Sequence, residues 1–393
     1  MKKCFLRLAV FLLAFPQFQT FASENSVPEP FRGEDPNSKY EVVYDDIDEL
    51  LYSFVTVSGW SDRKKAPEAD TQIGTRLRNR INRLTALEGN RFFFSEVAEN
   101  EELVTLIHDI KKDLEALPDE LPLNQLKNNE QLAYWINLYN ITVMDALVHV
   151  YPRQRLQNVL NYGEDDSLMA KKLLTVSGVP LSLDDIQFTI LKEKFNANPL
   201  IIYGLWQGNI GGPSLTDTAY KGNIVWRQLE ANAKEFVNSN RGTRENGEVS
   251  VLYERNMDFF ANNKNVLISH LTDYLEGDFY NEFAAVDDVS FVVEDWTLAA
   301  LMTQKREYGK SANLNPAAFI DAFVSNQVGG EFGKAYGNIV TVANNNFGGN
   351  VSDNAQIDFR FSNEQMKMLQ LLRLKHDIRR GKVEITDLEP EDL

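Results

Sequence analysis

Residues 128–150, NNEQLAYWINLYNITVMDALVHV, place a carboxylate and two amides where they could act together. Glu130, Tyr134, Asn137, Asn140 and Met144 recur at spacings of three and four, so on a helix they share one face. A carboxylate can move a proton, and amides can hold and orient a ligand. If the face is covered, each amide needs partners, and a ligand could supply them. The alternative is that the face satisfies neighbouring loops or meets water. A second pair of amides, Gln207 and Asn209, lies in the glycine-rich run WQGNIGGPSL at 206–215. Glu130, Asn137, Asn140, Gln207 and Asn209 are therefore the candidate ligand-binding residues.

A basic stretch stands out against an acidic background. Arg63, Lys64, Lys65, Arg76, Arg78, Arg80, Arg83 and Arg91 fall within 63–91 with few acids between them. Arg76, Arg78, Arg80 and Arg83 alternate as an extended ribbon would present them on one side. Guanidinium forks suit carboxylates and phosphates, so this stretch is a candidate docking surface for an anionic glycan, a peptide or an acidic protein partner. The plainer alternative is pairing with the chain's own acids.

Some chemistry is excluded. The single cysteine, Cys4, lies in a charged N-terminal segment. Lys2, Lys3 and Arg7 precede or flank a short apolar run, Leu8 to Phe15, and Thr20-Phe21-Ala22 supplies a small-residue cleavage site. Residues 1–22 are expected to be a signal peptide, which makes the protein exported, periplasmic or secreted. The mature chain then has no thiol nucleophile, no disulfide and no thiolate metal site. His108, His149, His270 and His376 fall in separate expected helices without ligand spacing, so neither a metal nor a cofactor is expected, and no catalytic residue is assigned. The formal net charge is −17, and loss of the leader takes it to about −20, which argues against nucleic-acid binding. No other run approaches the roughly 18 apolar residues of a transmembrane segment.

The elements that would position these residues read as follows. Residues 23–40 are polar with three prolines and are expected as a flexible leader. A helix is expected within 41–57, with Val43, Ile47, Leu50, Leu51 and Phe54 inward, and a second at 101–117 through Leu103, Leu106, Ile107, Ile110 and Leu114. In the 130–150 helix, Asn128 or Asn129 would cap, Leu132, Trp135, Ile136, Tyr139, Val143, Ala146, Leu147 and Val150 would form the core stripe, and Pro152 would stop it. Ser182-Leu-Asp-Asp185 resembles a capping box for a helix through Phe195. Residues 199–206 read as a buried strand or tight helix, 223–238 as a helix, and 289–293 as a strand. A helix at 363–380 follows a region rich in glycine and asparagine. The domains are drawn as leader, N-terminal helical extension with an arginine-rich loop (41–117), main domain (118–302) and C-terminal extension (303–393).

The order of the helix at 130–150, the segment VPLSLDDIQF, the run NPLIIYGLWQGNIGGPSL and the tetrapeptide Asp295-Trp296-Thr297-Leu298 is similar to the family known as domain of unknown function 547, over about residues 110–302. The resemblance carries Glu130, Trp135, Asn137 and Asn140 onto a Glu-x4-Trp-x-Asn-x-x-Asn pattern. It also implies a run Asn-Cys-Ala-Ser-x-Gly-Cys-Pro-x-Leu, whose cysteines fall on Gln207 and Gly212 here. Histidines often found in the family fall on Phe188 and Ile202. Neither side chain can transfer a proton. The backbone-shaping Gly211, Pro213 and Leu215 remain.

The reading is an α+β, predominantly helical fold with one main domain and a small mixed sheet. The expected function is non-catalytic binding or scaffolding by an exported soluble protein of acidic character. The alternative is a cell-envelope hydrolase or transferase that uses Glu130, Asp184 or Asp185 in place of a thiol.

Overall fold

The computed structural model describes residues 27–66, 82, 84–153, 155–301 and 385–387. The expected signal peptide at 1–22, Arg76, Arg78, Arg80, Arg83, His376 and the helix expected at 363–380 lie outside the described residues.

In chain order the strands are β1 (Tyr40–Val42), β2 (Val55–Thr56), β3 (Arg91–Phe92), β4 (Lys172–Val176), β5 (Val179–Ser182), β6 (Glu248–Ser250), β7 (Ser290–Val293) and β8 (Ile385–Asp387). The α-helices are α1 (Asp45–Phe54), α2 (Phe94–Ala98), α3 (Glu101–Glu120), α4 (Asn128–Val148), α5 (Gln157–Leu160), α6 (Lys192–Lys194), α7 (Val225–Val237), α8 (Val251–Arg255), α9 (Lys264–Tyr274) and α10 (Asp278–Phe283). The fold is α+β and mostly helical. Its strands form two-stranded pairs: β1–β8, β2–β3 and β4–β5 are antiparallel, and β6–β7 is parallel. So a set of ribbons stands where one small mixed sheet was expected.

One apolar core runs from Val27 to Ala300, shared by the N-terminal extension and the main domain. The amphipathic patterns of α3 and α7 point into it: Leu103, Leu106, Ile107, Ile110 and Leu114 from one, Val225, Leu229, Ala233 and Phe236 from the other. Asn100 caps α3 by accepting from the Glu102 and Leu103 amides at 3.1 and 3.3 Å. α1 starts later than expected, because β1 precedes it. Val42 is buried while Val43 is half-buried.

Three expectations are corrected. From Glu130 to Val148 every residue of α4 but Ala146 is buried, so the helix has no polar outer face. It is enclosed by α2, α3, α7, β1 and the helical turns at 185–191, and a helix surrounded on all sides is a central strut, not a surface element. Neither Asn128 nor Asn129 caps it. Lys127 occupies the cap position, and the Glu34 carboxylate accepts from the Asn128 amide at 2.9 Å, placing a negative charge at the positive end of the helix. That acid comes from the segment expected as a flexible leader, which is instead anchored on the core through Val27, Phe31 and Ser38 while Glu29, Pro30 and residues 32–37 stay exposed. Phe31 is fully buried edge-on to Trp135, ring centres 4.9 Å apart. Lys194 donates to the carbonyls of Phe31 and Gly33 at 2.8 and 2.7 Å.

The capping box forms as expected. The Asp185 amide donates to Ser182 Oγ at 3.1 Å, and the Ser182 amide returns a bond to Asp185 Oδ2 at 2.6 Å. The helix it starts is π-helical over Asp185–Leu191 before tightening into α6. Residues Pro199–Gly204 form a 3₁₀ turn, the tight helix of the two expected options.

Candidate functional site

Asn137 and Asn140 both act as staples. Asn137 Nδ2 donates to the Tyr220 carbonyl at 2.8 Å, and its Oδ1 accepts from the Tyr220 amide at 2.9 Å. Asn140 does the same across a gap in another segment, donating to the Gly204 carbonyl at 2.9 Å and accepting from the Trp206 amide at 3.0 Å. Each amide thus completes the hydrogen bonding of irregular backbone that has no ladder partner. Asn140 thereby fixes the residue immediately before Gln207.

Glu130 lies at the other end of the same row. It is 5 % exposed, its Oε2 accepts from the Val42 amide at 3.3 Å, and it packs on Gly222. A Cβ at residue 222 would stand 2.0 Å from Glu130 Oε1, so a larger residue there would displace the carboxyl. Burial pushes the Glu130 carboxyl up to about 7; Glu41 adds to this, while the Val42 amide and Lys127 oppose it.

The glycine-rich loop is strapped to the Asp295–Leu298 tetrapeptide. The Ile210 amide donates to the Thr297 carbonyl and the Gly211 amide to the Asp295 carbonyl, both at 2.8 Å, and the Ala299 amide donates to the Gly208 carbonyl at 2.7 Å. Asn209 Nδ2 donates to the Asp295 carbonyl at 3.1 Å, while its Oδ1 is buried without a partner. A Cβ at residue 211 would come within 2.6 Å of the Asp295 nitrogen, so this contact requires glycine. Beneath the loop the fully buried Arg241 donates to the Gly212 carbonyl at 2.8 Å and pairs with Glu235. The tetrapeptide is held on its other side too, by the Leu156 amide donating to the Trp296 carbonyl at 2.8 Å.

Gln207 is 2 % exposed, and the Tyr162 hydroxyl donates to its Oε1. Tyr162 begins a chain of contacts. Its ring lies 5.6 Å from that of Trp296, and the Arg255 guanidinium sits 4.0 Å above it. The same guanidinium is 5.1 Å from the Phe188 ring and pairs with Asp184. The side chains of Arg255 and Asp184 keep 12 % and 30 % of their surface exposed, and Tyr162, Phe188 and Trp296 are half-buried. Burial raises the Tyr162 phenol well above its ordinary value, with Arg255 opposing, so it stays a neutral donor. Burial also raises the Asp184 carboxyl, opposed by the Arg255 charge and hydrogen bond. Asp185 differs: burial works against it, but bonds from Lys172 and Ser182 hold it below the usual carboxylate range.

The five candidate ligand residues therefore divide. Asn140, Gln207 and Asn209 are linked through the loop, whereas Glu130 and Asn137 serve the segment at 220–222. Tyr162 and Arg255 belong to no motif, and no local pattern in the sequence marks them. Of the described members of the basic stretch, Arg63, Lys64 and Arg91 are engaged within the protein, while Lys65 is exposed. Arg63 donates to the Thr243 carbonyl at 2.9 Å and lies 3.7 Å over the Phe279 ring, Lys64 pairs with Asp62 at 3.0 Å, and Arg91 is buried against the Gly89 and Ala86 carbonyls. Among the described residues no three His, Cys, Asp or Glu side chains gather to hold a metal ion. His270 is half-buried beside Tyr203, whose hydroxyl lies 2.9 Å from its Nε2, and partial burial pushes the imidazole down to about 4.

Residues 123–237 match a family model described as protein of unknown function, DUF547. The similarity drawn from the helix at 130–150 and the run at 199–215 is shown over those residues. No curated protein and no solved structure matches the chain. Among the described residues no helix is long and apolar enough to cross a membrane.

Proposed function

We propose that the protein is exported and serves as a binding or scaffold member of the DUF547 family, without catalysis of its own. The observation that carries this reading is the state of Gln207. It occupies the position where the resemblance implies a cysteine, and it is enclosed, with its carbonyl oxygen taken by the Tyr162 hydroxyl. The positions where histidines are implied, Phe188 and Ile202, hold apolar side chains, so a nucleophile and its base are both missing. What remains partly open beside Gln207 is a set of groups suited to holding a molecule: Tyr162, Trp296, Arg255 and Asp184.

A second reading, a carboxylate-dependent hydrolase or transferase, has one observation in its favour: the Glu130 carboxyl sits at about 7, a value suited to a general acid or base. Against it, Glu130, Asp184 and Asp185 each serve a different partner, respectively Val42, Arg255, and Lys172 with Ser182. Native mass spectrometry of the exported protein tests both readings. The expected result is a polypeptide beginning near Ser23 that carries a ligand whose mass does not change on incubation. Conversion of that ligand to product, abolished by Glu130→Gln at unchanged melting temperature, would establish the enzyme instead. A soluble form retaining Met1 to Ala22 would refute export by cleavage.

A further inference from the structure

We propose that the strip formed by Trp296, Tyr162, Arg255 and Phe188 is a saccharide subsite that takes an uncharged oligosaccharide. This rests on the binding reading above and names its ligand class.

Four features point to this class. Two half-buried rings, Trp296 and Tyr162, lie 5.6 Å apart and inclined by 55° in one chain of contacts; Arg255 covers one face of Tyr162, so Trp296 is the ring left to meet the C–H face of a pyranose. Planar polar groups stand directly beside them. Arg255 lies over Tyr162, and Asp184, with 30 % of its side chain exposed, has acceptor capacity beyond its bond to Arg255. A guanidinium and a carboxylate side by side match the donor and acceptor demands of neighbouring sugar hydroxyls. Charge selects against an anion, because Arg255 is neutralised by Asp184 and the exposed Glu294 accepts from Trp296 Nε1 at 2.7 Å. Charge also disfavours a cation, because Arg255 already stands over the Tyr162 ring.

The strip is also built rather than incidental. Its members come from four separated segments: the residues after α5, the π-helix with its cap residue Asp184, the end of α8, and the tetrapeptide. Tyr162, Trp296 and Phe188 are anchored from behind. Gln207 accepts from the Tyr162 hydroxyl, the Trp296 carbonyl is tied to the Leu156 amide, and Phe188 rests on Phe259 with ring centres 6.3 Å apart. A π-helical segment, often found at functional sites, carries Phe188 to the strip. Gln207 is in this account a positioning residue: it is covered, and it acts by fixing the Tyr162 ring.

Titration calorimetry on the mature protein with cellotetraose, maltotetraose and tetra-N-acetylchitotetraose, and with a hyaluronan tetrasaccharide as the anionic comparison, tests the proposal. At least one neutral tetrasaccharide is expected to bind saturably. Trp296→Ala is expected to weaken that binding at least tenfold while the melting temperature holds. Arg255→Ala should do the same, and if that variant does not fold, Trp296→Ala decides alone. Failure of all three neutral sugars to bind, binding of hyaluronan only, or wild-type affinity in Trp296→Ala overturns the subsite. Failure here is distinct from failure of the binding reading. A co-purified ligand that is not a sugar removes the saccharide and leaves binding intact, whereas cleavage of a bound tetrasaccharide removes the non-catalytic reading and leaves the subsite intact.

Discussion

The asparagine pair of α4 and the strip around Tyr162 are both polar groups set in an apolar molecule, yet they differ in what satisfies them. Asn137 and Asn140 spend both ends of their amides on main chain, at 2.8–3.0 Å, and are sealed. In the strip, side chain meets side chain, and Tyr162, Asp184, Arg255, Phe188 and Trp296 all keep some surface in water. Backbone partners do not leave, so a residue that binds them is part of the frame. Side-chain partners at a surface can be shared with or exchanged for a ligand. Partner type, more than polarity, separates frame from site.

The largest effect belongs to the frame. Trp135 is fully buried against Phe31 and Tyr134, so Trp135→Ala should cost about 3–5 kcal/mol in chemical denaturation. A variant as stable as wild type would mean that α4 is not the central strut. Asn137→Ala and Asn140→Ala each strand a buried amide and carbonyl and should cost about 1–3 kcal/mol in the same measurement. If either variant instead melts like wild type but loses ligand affinity, the frame assignment fails for that residue.

Glu130 adds a pH signature to the frame. Its folded carboxyl titrates at about 7 against an ordinary value of 4.5, so between these the folded protein keeps a proton that the unfolded chain has released. Stability should therefore fall as pH rises from about 4.5 through about 7, by about 1–3 kcal/mol, and Glu130→Gln should flatten that decline. An unchanged slope in the variant would assign the pH dependence elsewhere. The smallest effect belongs to the strip. Tyr162→Phe removes one hydroxyl from Gln207 and should cost about 1 kcal/mol or less by thermal melting. A loss several times larger would move Tyr162 from the site into the frame.

Much of the frame could be read from local pattern. α3 and α7 announced their buried faces through helical spacing, and Ser182 and Asp185 announced their reciprocal cap, because those signals depend on neighbours three or four residues away. α4 was misread for the same reason. Its stripe of Leu132, Trp135 and Tyr139 is real, but the opposite face is buried too, and Glu130, Asn137 and Asn140 find partners at Val42, Tyr220 and Gly204 that no short window contains. The strip was harder still. Arg255 meets Asp184 across 71 positions and Tyr162 meets Gln207 across 45, so their company is a property of the tertiary fold. Gln207 stands out as an amide in a glycine-rich run and Trp296 only through the resemblance, and neither signal says what surrounds the residue.

The clasp between the glycine-rich loop and the Asp295–Leu298 tetrapeptide carries a consequence for how the protein is made. Asn209 and Asp295 are 86 positions apart, so as the chain is synthesised the loop emerges well before the segment that fastens it. Until then the amides of Ile210 and Gly211 and the carbonyl of Gly208 have no backbone to pair with, and the ring of Trp296 is absent from the strip. A fragment ending where the family match ends, at residue 237, would be permanently in that unfinished state. The smallest piece able to display the strip is therefore set by the fastening segment and must extend past Ala299.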